Sequence, residues 1–143
     1  MTILTPTLAP AKFTSLAAEL ILVLVITYTL EENIYASLDW TTSKDSSDYL
    51  AAERSVLTCI ALSVLMLVFM ILTLFAGVSL FYDRVNMVQT CLNSMGVFWL
   101  CWYIHNDSPY NFLWAIWTVT ILVPALIELM VLLRVRSVLT SKV

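Results

Sequence analysis

Four long apolar runs take up most of the chain, and they fix the solvent in which it can fold. They are Phe13–Leu30, Val56–Leu80, Val85–Ile104 and Phe112–Leu133. A helix needs about 20 mostly apolar residues to cross about 30 Å of hydrocarbon, and each run is of that order. The chain has 143 residues, 61% hydrophobic and 12% charged. A chain this short cannot hide four such helices from water, because a small domain buries too little of its own surface. The sequence therefore predicts an all-α membrane protein. It has four transmembrane helices in two antiparallel hairpins, with approximate spans 13–30, 56–80, 85–104 and 112–133. Residues 1–143 form a single four-span domain with an extracellular loop at 31–55.

Between the runs little is left. Met1–Lys12, with Pro6 and Pro10, reads as an irregular arm leading into the first helix. The loop after the first span carries Glu31, Glu32, Asp39, Lys44, Asp45, Asp48, Glu53 and Arg54. Asp45, Ser46 or Ser47 can cap an extension of the second helix, because their side chains accept from free backbone N–H groups. Asp83-Arg84 marks a tight turn between spans two and three. Pro109, in the loop His105–Asn111, separates spans three and four. The first run is too long for the apolar core of a cleaved signal peptide, and no A-x-A site follows it, so it reads as a retained span.

Four spans place both termini on one side. Lys12, Arg84, Arg134, Arg136 and Lys142 share that side, against Lys44 and Arg54 on the other. Positive residues favour the cytoplasm, so the N- and C-termini are predicted to be cytoplasmic. The aromatics Tyr28, Tyr35, Trp40, Trp99, Trp102, Tyr103, Tyr110, Trp114 and Trp117 gather toward the outer ends. They suit an interfacial belt or a face for a partner. No basic cluster argues for nucleic acid.

Polar residues inside the runs carry what chemistry there is. Glu19 and Glu128 each lie in an apolar run, at similar depth if the termini share a side. A carboxylate at the centre of a span costs about 2.5 kcal/mol or more on insertion scales, so such groups turn inward and find partners. They can act as glue between helices, or as a proton relay or ion site. Lys12, seven residues before Glu19, shares its helix face and can reach inward by snorkelling. Pro124, one turn before Glu128, removes a backbone donor and leaves the Thr120 carbonyl without one. Gly77, with Thr73, and Gly96, with Thr90 and Ser94, offer small faces for close helix packing.

Cys59, Cys91 and Cys101 lie in spans and read as packing residues. His105 stands without a second ligand, and the Asn106-Asp-Ser108 sequon lies against the membrane. No nucleophile–base pair, zinc motif or phosphate loop is present. No enzyme, metal or cofactor is expected. The competing reading is a channel or transporter subunit that uses Glu19 and Glu128.

One family shares the order of these features. Pro10-Ala-Lys-Phe13 leads into the first span and Glu32-Asn33-Ile34 follows it. Gly77-Val-Ser-Leu-Phe81 comes near the end of the second, and Pro124-Ala-Leu-Ile-Glu128 lies in the fourth. From about Leu8 to the basic tail the chain resembles the transmembrane protein 107 family, small tetraspan proteins of the ciliary transition zone. The resemblance implies a non-enzymatic role with the Meckel syndrome module at the base of the cilium. It implies recruitment or retention of other membrane components there, tectonic-type proteins among them, in support of cilium biogenesis and the ciliary gate. Membrane lipids are the remaining expected partners.

Overall fold

The computed structural model describes residues 5–38, 40–77 and 82–140, and within them every regular element is a helix. Helix α1 (Thr5–Val25) begins well before the first apolar run. The expected irregular arm is therefore helical from Thr5; Met1–Leu4 lies outside the described residues. A proline costs little in the opening turn of a helix, where its missing N–H would be unpaired anyway. Pro10, a turn further on, is tolerated because Lys12 just beyond it anchors this end of the helix inside the bundle. After α1 the chain turns over residues 26–29 and forms a short helix, α2 (Leu30–Tyr35). Its first turn carries Glu31 and Glu32, which suit the positive end of the helix dipole.

Helix α3 (Ser47–Phe75) starts at a side-chain cap: the Ser46 hydroxyl accepts from the Tyr49 N–H at 3.3 Å. Its 29 residues span about 43 Å at 1.5 Å per residue, more than the hydrocarbon needs, so its polar opening turns extend beyond the apolar part. The second run was expected to stay helical to Leu80. The helix stops instead at Phe75, because Gly77 takes φ 72°, the left-handed conformation that ends helices and that glycine adopts without strain. Val78–Phe81 lies outside the described residues. Helix α4 (Asp83–His105) follows. The last stretch is continuous: α5 (Tyr110–Trp117), a π-helical segment (Thr118–Leu122) and α6 (Val123–Thr140).

Three stretches are long and apolar enough to cross a membrane: Thr7–Val25, Ser47–Phe75 and Tyr110–Val138. Helix α4 has the length, 23 residues, but Asn86, Gln89 and Asn93 dilute its apolar content. All three of these side chains are buried. The outer surface has the opposite character. Ile21, Leu65, Leu72, Phe98 and Met130, from α1, α3, α4 and α6, are each 61–68% exposed. Large apolar side chains facing out on every long helix, with amides and charges facing in, are the inverse of a water-soluble protein.

The core runs between the helices, with Leu16, Ile26, Leu67, Met70, Leu100 and Ile121 buried in one cluster. Helix α1 packs most extensively on α4 and then on α3. A second, smaller cluster of Ile34, Tyr35, Tyr49 and Ala52 closes one end. Over it Tyr35 stacks on Trp40, with centroids 5.1 Å apart and planes at 12°. The Tyr110 N–H donates to the Ser37 hydroxyl at 3.2 Å, and the Trp114 indole N–H donates to Ser55 at 2.9 Å. The polar loop is thus a packed cap tied to α3 and α5. An exposed ion pair, Lys44 to Glu31 at 2.6 Å, holds the Lys44 ammonium above its usual range through its hydrogen bond. Asp39 lies outside the described residues.

Candidate functional site: a buried polar column

Lys12 is fully buried and Glu128 is 1% exposed. The Lys12 ammonium lies 3.0 Å from Glu128 Oε2, and it also donates to Gln89 Oε1 at 2.7 Å and Asn86 Oδ1 at 3.0 Å. Gln89 completes the cluster: its amide N–H₂ donates to Glu128 Oε2 at 2.8 Å and to the Pro124 carbonyl at 3.1 Å. A buried ion pair offsets its desolvation only when the remaining donors and acceptors are also met. Here the flanking amides and the Thr73 hydroxyl meet them. Four helices are joined by one side-chain network, α1 through Lys12, α4 through Asn86 and Gln89, α6 through Glu128, and α3 through Thr73, which bonds Glu128.

Local structure explains how these groups come together. On α4 the buried residues are Asn86, Gln89, Asn93, Gly96, Leu100 and Tyr103. Their spacing of three and four residues places them on one face. The polar half of that face meets the N-terminal half of α1. Lys12 lies against Asn86 and Gln89, and further along each helix Glu19 lies against Gly96, so the two helices run in the same direction. On the other side Pro124 shapes the approach. Having no N–H, it cannot continue the α register, and the preceding five residues adopt the wider π register, with the Val123 N–H bonded to the Thr118 carbonyl. In an α register the carbonyl without a donor is that of Thr120; in the π register it is that of Val119. The extra residue rotates everything beyond it by about one residue's turn, and so sets which way Glu128 points.

Glu19 belongs to the same face of α1 but not to the Lys12 cluster. It is fully buried, and neither carboxyl oxygen has a hydrogen-bond partner. Its carboxyl occupies the space that a side chain at Gly96 would fill. A Cβ there would collide with Glu19 Oε1 and come within 2.8 Å of Thr120 Cβ. The Thr120 hydroxyl donates to the Ile116 carbonyl at 2.9 Å. Asn93, also fully buried, has neither end of its amide paired.

The residues singled out from the sequence are thus distributed as follows. Glu128 is joined to Lys12, with Pro124 one turn away and its carbonyl in the same network. Glu19 and Gly96 meet each other, apart from that cluster. Gly77 lies at the end of α3. Lys12 turns to Glu128 rather than to Glu19. Cys59 is buried, whereas Cys91 and Cys101 are exposed on the apolar outer surface. Sequence reasoning did not single out Asn86, Gln89 and Asn93. Their signal was a polar stripe at helical spacing inside an apolar run. Among the described residues no three His, Cys, Asp or Glu side chains cluster as a metal site.

The comparison with known families agrees with the apolar outer surface of a membrane protein. The TMEM107 family of transmembrane proteins matches residues 8–132, which takes in the whole column from Lys12 to Glu128. The chain belongs to the TMEM107 family. Transmembrane protein 107 of zebrafish (Danio rerio) is 23% identical over 129 residues, covering 90% of this chain and 94% of that protein. No solved structure matches. The family match thus takes in α3, α4 and α5 whole, most of α1 and the first half of α6.

Proposed function

We propose that this chain is a non-enzymatic, four-span component of the ciliary transition zone with both termini in the cytoplasm. In this reading it recruits or retains other membrane proteins of the Meckel syndrome module, tectonic-type proteins among them, and so supports cilium assembly and the ciliary gate. Membership of the TMEM107 family along nearly the whole chain carries the reading.

The chemistry of the molecule supports it. Helix α4 counts as the remaining span because its amides face the bundle. Its outward face, with Met87, Val88 and Phe98 exposed, is apolar. Lys12 leaves the orientation count because it is buried in an ion pair, and the other positive residues still favour cytoplasmic termini. The polar groups bind helices to one another rather than lining an open path. Glu128 is neutralised by Lys12, which weighs against its use as a freely titrating carboxylate in transport. Partners would therefore meet the outward helix surfaces, the packed cap or the short tails.

A tagged copy in ciliated cells should form a ring or spot between basal body and axoneme. Its removal should deplete other transition-zone membrane proteins. Fluorescence spread evenly over the cell membrane would overturn the proposal.

A further inference from the structure

The Lys12 cluster satisfies one end of the polar column, while the other end holds a carboxyl group with neither oxygen hydrogen-bonded. Glu19 from α1 and Asn93 from α4 are both fully buried, and all four of their terminal polar atoms are unpaired. The π segment supplies the third wall through Thr120, which approaches the same point beside Gly96 as the Glu19 carboxyl. Asn93 lies on the buried stripe of α4 between Gln89, which Lys12 contacts, and Gly96, which Glu19 contacts. It therefore faces the level next to the carboxyl.

The donors and acceptors at this level are unbalanced. Glu19 presents two oxygens and Asn93 a third. The Thr120 hydroxyl donates to the Ile116 carbonyl and lies beside the Glu19 carboxyl, to which it can turn its proton instead. The Asn93 N–H₂ is the one donor of this set not already engaged. The nearest cation in the column, Lys12, is engaged two turns away by Glu128, Gln89 and Asn86. A lone buried carboxylate is strongly unfavourable unless a cation or a proton joins it. Hard cations take oxygen ligands, and sodium sites in membrane proteins are built where helices depart from regular α geometry near a buried carboxylate or carbonyl. A single carboxylate balances a single charge, which favours a monovalent over a divalent ion. A proton would neutralise Glu19 and make one of its oxygens a donor, whereas a cation would engage the Glu19, Asn93 and Thr120 oxygens together.

We propose that Glu19, Asn93 and Thr120 form a binding site for one alkali cation, sodium-sized, at the junction of α1, α4 and the π segment. Gly96 is part of the site because only a residue without a side chain leaves room for the carboxyl. Binding draws three helices together at a level the Lys12 cluster does not reach. This inference stands apart from the ciliary reading, since it concerns the bundle wherever it resides.

The test uses the purified full chain in nanodiscs. Radiolabelled sodium binding and the thermal unfolding midpoint are measured in sodium, potassium and choline chloride at equal ionic strength. Saturable sodium retention near one ion per chain, with a higher midpoint in sodium than in choline, is the expected result. Competition by potassium then reports the size preference. Glu19→Gln keeps the shape of the side chain and removes its charge. It should weaken sodium binding by about tenfold or more, about 1.4 kcal/mol, and abolish the sodium-dependent rise. Glu31→Gln, on the exposed cap, should change neither. A wild-type protein that retains no sodium and melts alike in sodium and choline overturns the proposal. In that case a proton alone neutralises Glu19. The wild-type measurement decides the matter even if a variant fails to fold.

Discussion

Lys12 and Glu128 lie 116 residues apart in sequence and touch at 3.0 Å in the bundle. Removing one member of a buried pair leaves the other charge unmatched, which costs about 3–5 kcal/mol. Lys12→Met should therefore lower the unfolding midpoint sharply. The double replacement Lys12→Met with Glu128→Met should recover most of the loss, since a well-packed apolar pair often replaces a buried ion pair without penalty. Thermal unfolding of the four proteins of this cycle in one detergent measures the coupling; strictly additive losses would show that the pair is not coupled. Gly96→Ala tests the other contact. The new methyl group occupies the space of the Glu19 carboxyl, so the variant should be destabilised by about 1–3 kcal/mol, as overpacked cores are. Shortening Glu19 to Ala in the same chain should relieve part of this. Glu19 and Glu128 could be read from sequence because a charge inside an apolar run is conspicuous. Which of the other polar residues each would meet could not. Which acid Lys12 would choose depends on the packing of α1 against α4 and α6, and spacing along one helix pointed to Glu19.

At the level of elements, Pro124 is the residue whose local effect reaches furthest. The sequence announces that a backbone donor is missing, but not how the helix accommodates the loss. A kink, a water or a π segment each answers the same need. The structure takes the π segment, and the extra residue turns Glu128 toward Lys12 and Gln89. Pro124→Ala restores the N–H and permits an unbroken α register. Helix propensity alone favours alanine by about 3 kcal/mol, yet the variant should be less stable than the wild type. The regained register rotates Glu128 away from its partners. Unfolding midpoints of Pro124→Ala alone and on the Lys12→Met, Glu128→Met background separate the two effects. Alanine should destabilise the first and stabilise the second. The start of α3 was more legible than its end. Ser46 belonged to the set of candidate caps, because capping is local chemistry. The stop at Phe75 was hidden, because apolar residues continue beyond it and only the conformation of Gly77 ends the helix. The short α2 was hidden too: it is held by Tyr35, Tyr49 and Tyr110 packing across the cap, contacts between distant parts of the chain.

For the whole molecule, the decisive question is how many times the chain crosses the bilayer. Three stretches qualify by apolarity alone, and the count of crossings rests on α4. Two facts argue for α4. Its polar residues are buried against α1 and α6, and it runs in the same direction as α1. If α1 crosses the membrane, α4 crosses beside it over the same levels, since Lys12 fixes one level and Glu19 another. The loop with Lys44 then lies on the opposite side from both termini, and so does the turn at Asp107. Single cysteines at Ser43 and at the exposed Asp107, in a background where Cys59, Cys91 and Cys101 are replaced by alanine, give the measurement. In intact cells a membrane-impermeant maleimide should label both loop positions. It should reach a terminal cysteine at Ser137 only after permeabilisation. If α4 did not cross, Ser43 and Asp107 would report opposite sides and the two loops could not form one cap. The hydrogen bond from Tyr110 to Ser37 and that from Trp114 to Ser55 place both loops at the same end of the bundle. Matching labelling of Ser43 and Asp107 is therefore the outcome that the packing of the cap demands.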